Sequence, residues 1–128
     1  MEPPSLLVVD DEENFLVLLK TALSPVGYRV TTAHDGIEAL AHVEREKFRL
    51  AILDIRMHPM GGVEVLEQIK IRSPSTHVIM ATAYPTKDNH DECIKLGAAA
   101  YLTKPVDIPE LKALIEWIDK KLPEGSEQ

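Results

Sequence analysis

The chain has 128 residues, enough for one domain that buries a full hydrophobic core without disulfides or a structural metal. Hydrophobic residues make up 45% and charged residues 27%, which excludes a disordered chain; a formal charge of −7 with a pI near 5.2 excludes a surface built to displace counterions from nucleic acid. The single cysteine, Cys93, cannot close an internal disulfide, and no apolar run reaches the length of a membrane span or sits where a signal segment would, so a cytoplasmic location without membrane contact is expected.

Residues 1–4 read as a frayed terminus, leaving 5–122 as one folded unit and 123–128, rich in Pro, Glu, Gly and Ser, as a tail or a linker to an output domain. Within the folded unit the run at 6–9 is apolar without interruption, as expected of a parallel strand covered on both faces. A helical stripe of Phe15, Leu18, Leu19 and Ala22 follows. Residues 28–32 alternate, with Tyr28, Val30 and Thr32 on one side, which places that strand at a sheet edge. Ile37, Leu40 and Ala41 share the next helical face, 50–53 forms a second uninterrupted strand, and Val65, Leu66 and Ile69 line a third helix. The run at 78–81 is another central strand. A helix over roughly 88–96 has only Ile94, Leu96 and Cys93 to bury and is expected to pack loosely. A short strand at 100–102 precedes the strongest stripe, Leu111, Leu114, Ile115, Ile118 and Leu122, with Asp107 as N-cap, Pro109 in the first turn and Glu110 completing a capping box. Five alternations of strand and helix with short connections predict an α/β fold, an open parallel sheet covered by helices on both faces.

Ligand sites in such sheets lie beyond the carboxyl ends of the strands. The first strand ends in Asp10 and Asp11, the third in Asp54 and the fourth in Thr82, and the fifth runs into Lys104 and Pro105. Three carboxylates on one rim repel one another unless a cation bridges them, and an all-oxygen set suits a hard ion such as Mg²⁺. A hydroxyl and an ammonium opposite them are poor metal ligands but good partners for phosphoryl oxygens. Phosphate is the implied guest.

The runs Val8-Val9-Asp10-Asp11-Glu12, Leu53-Asp54-Ile55-Arg56-Met57, Ala81-Thr82-Ala83 and Tyr101-Leu102-Thr103-Lys104-Pro105 resemble the response-regulator receiver family of two-component signalling, over residues 6–122. The resemblance implies a flavodoxin-like (βα)5 three-layer sandwich with strand order 2-1-3-4-5. It implies a signalling phosphoacceptor with self-limited hydrolysis, served by a histidine kinase or a phosphotransfer protein and acting on an output domain or partner protein. Carried over by position, Asp54 would be the phosphorylated nucleophile, Asp11 a direct Mg²⁺ ligand, Asp10 a ligand mostly through water, and the Arg56 carbonyl a further ligand. Lys104 and Thr82 would hold phosphoryl oxygens, the Lys104–Pro105 peptide would be cis, and Thr82 with Tyr101 would relay the change to the face of the fourth helix, fifth strand and fifth helix. The chain departs from the family at His58-Pro59, where proline usually comes one place earlier, at Gly61-Gly62, at Ala100, and at His90 and Asp91 on the fourth helix.

Taken singly, each residue has a plainer use: Asp10 and Asp11 as helix caps, Asp54 as a turn residue, Thr82 as a hydroxyl bonded to backbone, Lys104 as a solvated cation, Tyr101 as an edge-strand aromatic. Their joint appearance at the strand ends favours the shared chemistry. An aspartate-nucleophile phosphatase would want Asp-x-Asp where this chain has Asp10-Asp11-Glu12, and a flavin module would want a phosphate-cradling Ser/Thr/Gly loop after the first strand. A scaffold that keeps the fold without phosphorylation would not need Asp54, Thr82 and Lys104 together. His34, His42, His58, His77 and His90 present no zinc-ligand motif.

Overall fold

The structure, a computed structural model, describes residues 3–121; Leu122, the 123–128 tail, Met1 and Glu2 lie outside the described residues. In chain order the elements are β1 (Ser5–Val9), α1 (Glu13–Leu23), a 3-10 turn (Ser24–Val26), β2 (Arg29–Ala33), α2 (Gly36–Arg45), β3 (Leu50–Leu53), α3 (Gly62–Arg72), β4 (His77–Thr82), α4 (Lys87–Lys95), β5 (Ala100–Thr103) and α5 (Ile108–Lys121). All strand pairs are parallel, and the order across the sheet is β2-β1-β3-β4-β5, the flavodoxin-like arrangement.

Side chains of a strand alternate between faces, so uninterrupted apolar strands feed two cores at once. Leu6, Val8, Leu50, Ile52, Ile79 and Ala81 point to the side covered by α1 and α5. Leu7, Val9, Ala51, Leu53, Val78 and Met80 point to the side covered by α2, α3 and α4. Register then sets the rim. Val9 pairs with Leu53, so Asp10 and Asp54 emerge together; Leu53 pairs with Met80 and Thr82 with Thr103, so Thr82 ends β4 just where Lys104 leaves β5.

Two helix faces differ from the sequence expectation. On α1 the buried residues are Phe15, Leu16, Leu19 and Leu23, while Leu18 is 46% exposed. On α2 Ile37 is 57% exposed and Ala41 is exposed, and Gly36, Ala39 and Leu40 face inward. The cause is the approach of α3: a Cβ on Gly36 would stand 2.5 Å from Val65 Cγ2, so only the small-residue side of α2 fits against that neighbour. The edge strand starts at Arg29 and buries Val30 and Ala33; Tyr28 precedes it and donates its hydroxyl to Asp119 Oδ2 at 3.2 Å. At the start of the chain the Pro4 carbonyl accepts the Arg29 N–H at 2.9 Å.

The weak fourth helix runs Lys87–Lys95, capped by Thr86, whose hydroxyl accepts the Asn89 N–H at 3.0 Å, and buries only Cys93. β5 extends one residue past the expected end, to Thr103. Asp107 directly precedes α5, and its carbonyl accepts the Leu111 N–H at 2.9 Å. Among the described residues no helix is long and apolar enough to cross a membrane.

Candidate functional site

Each residue expected at the rim is found there. Asp10 and Asp54 follow β1 and β3, and the ladder continues through them: Asp10 N–H donates to Ala33 O at 3.1 Å and Asp54 N–H to Val9 O at 3.0 Å. Asp10 and Thr82 are fully buried, Asp54 nearly so, and Asp11 is exposed. One carboxylate oxygen from each of Asp10, Asp11 and Asp54 lies within 4.8 Å of the others. A cleft of about 500 Å³ opens above them, lined also by Glu12, Arg56, Ala83, Tyr84 and Lys104.

The Lys104 ammonium is the only cation paired with these acids among the described residues, 2.5 Å from Asp10 Oδ2, 3.8 Å from Glu12 Oε1 and 3.9 Å from Asp54 Oδ1, over the Phe15 ring at 4.3 Å. Its main partner is therefore Asp10, which also accepts the Glu12 N–H at 2.9 Å. One ammonium against three carboxylates leaves the group under-compensated. Burial raises the Asp54 carboxyl to about 6, helped by the charges of Asp10 and Asp11 and opposed by Lys104 and the Arg56 backbone N–H. Burial also raises Asp10, against the pull of Lys104 and the Glu12 N–H. Oxygen-only donors, excess negative charge and partial burial together fit a hard divalent cation.

Thr82 Oγ1 accepts the Tyr84 N–H at 3.1 Å, so the hydroxyl is backbone-bonded as the plainer reading allowed, and its proton remains free to be donated. Lys104 N–H donates to Thr82 O at 2.8 Å, and the Lys104–Pro105 peptide is cis, as is His58–Pro59. The loop with the unusual His58-Pro59 and Gly61-Gly62 is held by Gly62 N–H donating to Ile55 O at 2.8 Å. A Cβ on Gly62 would come within 1.9 Å of Asp54 O, so the backbone that carries Asp54 rests directly on this glycine.

Tyr101 lies away from the cleft, on the other side of β5. Its ring is half-buried against the core under α4 and meets His90 edge-on at 5.0 Å, and its hydroxyl is buried with no hydrogen-bond partner among the described residues. The ring is thus packed already, and His90, an outlier in the sequence pattern, is what packs it. Sequence reasoning missed the Arg56 side chain and Tyr84, which stack with the guanidinium carbon 4.2 Å from the ring centroid. Their signal was positional: each sits two residues beyond a strand-end residue already singled out. Elsewhere His34 bridges Glu13 at 2.6 Å and Glu38 at 3.4 Å, a surface contact between α1 and α2.

With this geometry in place, comparison with known proteins decides the family. Residues 6–116 match the response regulator receiver domain family. The chain belongs to that family. Phosphoryl acceptance is the general function of a receiver domain in a two-component system. The transcriptional regulatory protein ZraR of Klebsiella oxytoca is 41% identical over 111 residues, which are 87% of this chain and 25% of that protein; the chain thus spans about a quarter of the length of this relative. A CheY-like receiver domain from Methanospirillum hungatei JF-1 superposes with a TM-score of 0.90 at 35% identity, covering 97% of this chain and all of that one. A response regulator from Burkholderia pseudomallei, solved with a phosphorylated aspartic acid, a calcium ion and citrate, superposes at 0.84 with 27% identity over 93% of this chain and 70% of its own.

Proposed function

We propose that this receiver domain is a Mg²⁺-dependent phosphoaspartate switch in which Asp54 takes its phosphoryl group from a histidine kinase or a phosphotransfer protein. The observation that carries the reading is the convergence of four strand ends. It leaves Asp54 beside two further carboxylates and 3.9 Å from the Lys104 ammonium, at the floor of an open cleft.

Asp10, Asp11 and Asp54, with the carbonyl of Arg56, would hold Mg²⁺, which when bound supplies the positive charge that lets carboxylates and phosphoryl oxygens approach. The chain's own groups do the rest. An Asp54 carboxylate oxygen forms the bond to phosphorus while the P–N bond of the donor breaks and its electron pair returns to the imidazole ring. Lys104 turns from Asp10 towards one phosphoryl oxygen. Thr82 donates its hydroxyl proton to another while still accepting the Tyr84 N–H. Hydrolysis ends the phosphorylated state: a water oxygen bonds to phosphorus and its proton passes to a phosphoryl oxygen or to solvent, the bond to the Asp54 oxygen breaks, inorganic phosphate leaves, and the carboxylate is restored.

The output lies on the face of α4, β5 and α5, reached through Thr82 and Tyr101 and serving an output domain or partner protein. Helix α4, whose one buried side chain is Cys93, is the element most easily displaced. The Cys93 thiol, pushed up to about 11 by burial, suits a reducing, cytoplasmic setting as an inert filler. Incubation with Mg²⁺ and acetyl phosphate, followed by intact-mass and peptide analysis, tests the reading. One base-labile phosphoryl group on Asp54, absent from Asp54→Asn, is expected; a group on Asp10 or Asp11, or turnover of many phosphoesters without an adduct, refutes it.

A further inference from the structure

At the lining of the acidic cleft, Arg56 from the loop after β3 rests on Tyr84 from the loop after β4, 4.2 Å from the ring centroid. Arg56 lines the same cleft as Asp10, Asp11 and Asp54, yet among the described residues it makes no salt bridge with any of them. A guanidinium beside uncompensated carboxylates that rests on an aromatic face is a cation in reserve. The Tyr84 ring is 58% exposed and belongs to neither core, so the guanidinium is what steadies it. Tyr84 in turn donates its N–H to Thr82 Oγ1.

We propose that Arg56 is a phosphoryl sensor parked on Tyr84: its guanidinium leaves the ring for the phosphoryl group on Asp54, and its departure frees the loop between β4 and α4. The proposal rests on Asp54 being the phosphoacceptor. Exposed cation–π contacts are among the weaker interactions, whereas a guanidinium fork on phosphoryl oxygens is charge-assisted, bidentate and among the stronger ones. Added charge on Asp54 therefore decides the competition. Once the ring is released, Tyr84 keeps its backbone tie to Thr82, so movement of the Thr82 hydroxyl towards the phosphoryl group draws the loop and the start of α4 with it. Sensing the charge and unlocking the output helix become one event. A lysine in place of Arg56 would lack the fork and the flat face, and would both park and sense poorly.

The test is nuclear magnetic resonance of the Arg56 Nε–H with Mg²⁺ and beryllofluoride as the phosphoryl mimic, with fluorine resonance reporting whether the mimic is bound. Without mimic the Arg56 signal should be shifted upfield by the ring, in the wild type and in Tyr84→Phe but not in Tyr84→Ala. On binding, the signal should move downfield to one common position in all three. Tyr84→Ala, with no ring to compete, should bind the mimic about 2- to 5-fold more tightly, the worth of an exposed cation–π contact. Arg56→Ala, which keeps its backbone carbonyl, should bind it more weakly. Bound mimic with Arg56 still shifted upfield, or equal affinity in Tyr84→Ala and Tyr84→Phe, overturns the sensor while leaving the phosphoacceptor standing. Absence of bound mimic in every variant overturns both.

Discussion

Replacing the proposed phosphoacceptor by its neutral isostere, Asp54→Asn, should make the metal-free protein more stable. The Asp54 carboxyl is raised from 3.8 to about 6, first by burial and then by Asp10, so in the folded chain the charged form is the unfavourable one. Between those two values the folded state binds more protons than the unfolded state, and stability falls as pH rises through that window. At about 1.36 kcal/mol per unit, the shift corresponds to about 3 kcal/mol above pH 7, and water entering the open cleft reduces this to about 1–3 kcal/mol. The amide of the variant keeps the shape and loses the charge, so it escapes the penalty. In urea, where a chain of this size has a slope of about 1–2 kcal/mol per molar, the Asp54→Asn midpoint should lie about 1 M above wild type at pH 8 and approach it near pH 4. Excess Mg²⁺ should narrow the gap at pH 8 by stabilising the wild type, with its three carboxylates, more than the variant with two. Equal midpoints at pH 8 in chelator, or a gap independent of pH, would show that Asp54 is not electrostatically penalised and would remove the argument for a bridging cation.

Asp11→Ala should abolish Mg²⁺ binding in calorimetric titration and Asp10→Ala should weaken it; an unchanged titration in Asp11→Ala would take the metal role from that residue. Gly62→Ala must move the Asp54 backbone to relieve a 1.9 Å approach, so a loss of about 2 kcal/mol or more in chemical unfolding should accompany slower phosphoryl uptake, and wild-type stability would show that the loop yields freely. Thr82→Ala removes the hydroxyl that meets both Tyr84 and the incoming phosphoryl group. Hydrogen exchange over residues 82–104 should respond to a phosphoryl mimic in the wild type and fall silent in Thr82→Ala, and a response preserved in the variant would route the signal elsewhere.

The strand–helix alternation and the rim were legible in the sequence because both follow from local pattern, whereas the strand order 2-1-3-4-5 came only from the family resemblance. Uninterrupted apolar runs of four to six residues bounded by polar turns are too short for buried helices and read as strands covered on two sides, and parallel strands of similar length deliver Asp10, Asp54, Thr82 and Lys104 to one edge. Which side of a helix turns inward was not local. Ile37 has the hydrophobicity of a core residue, but the tight fit of Gly36 on Val65 leaves it outside, and Leu16 and Leu23 displace Leu18 from the core under α1. The same holds for charge. Local pattern alone was enough to set an ammonium opposite three carboxylates; packing in three dimensions settled that it rests on Asp10, 94 positions away, that Arg56 rests on Tyr84 rather than on an acid, and that His90 packs Tyr101. Pairings between side chains from different loops depend on distances of a few ångströms set by packing, and spacing along any one element carries no trace of them.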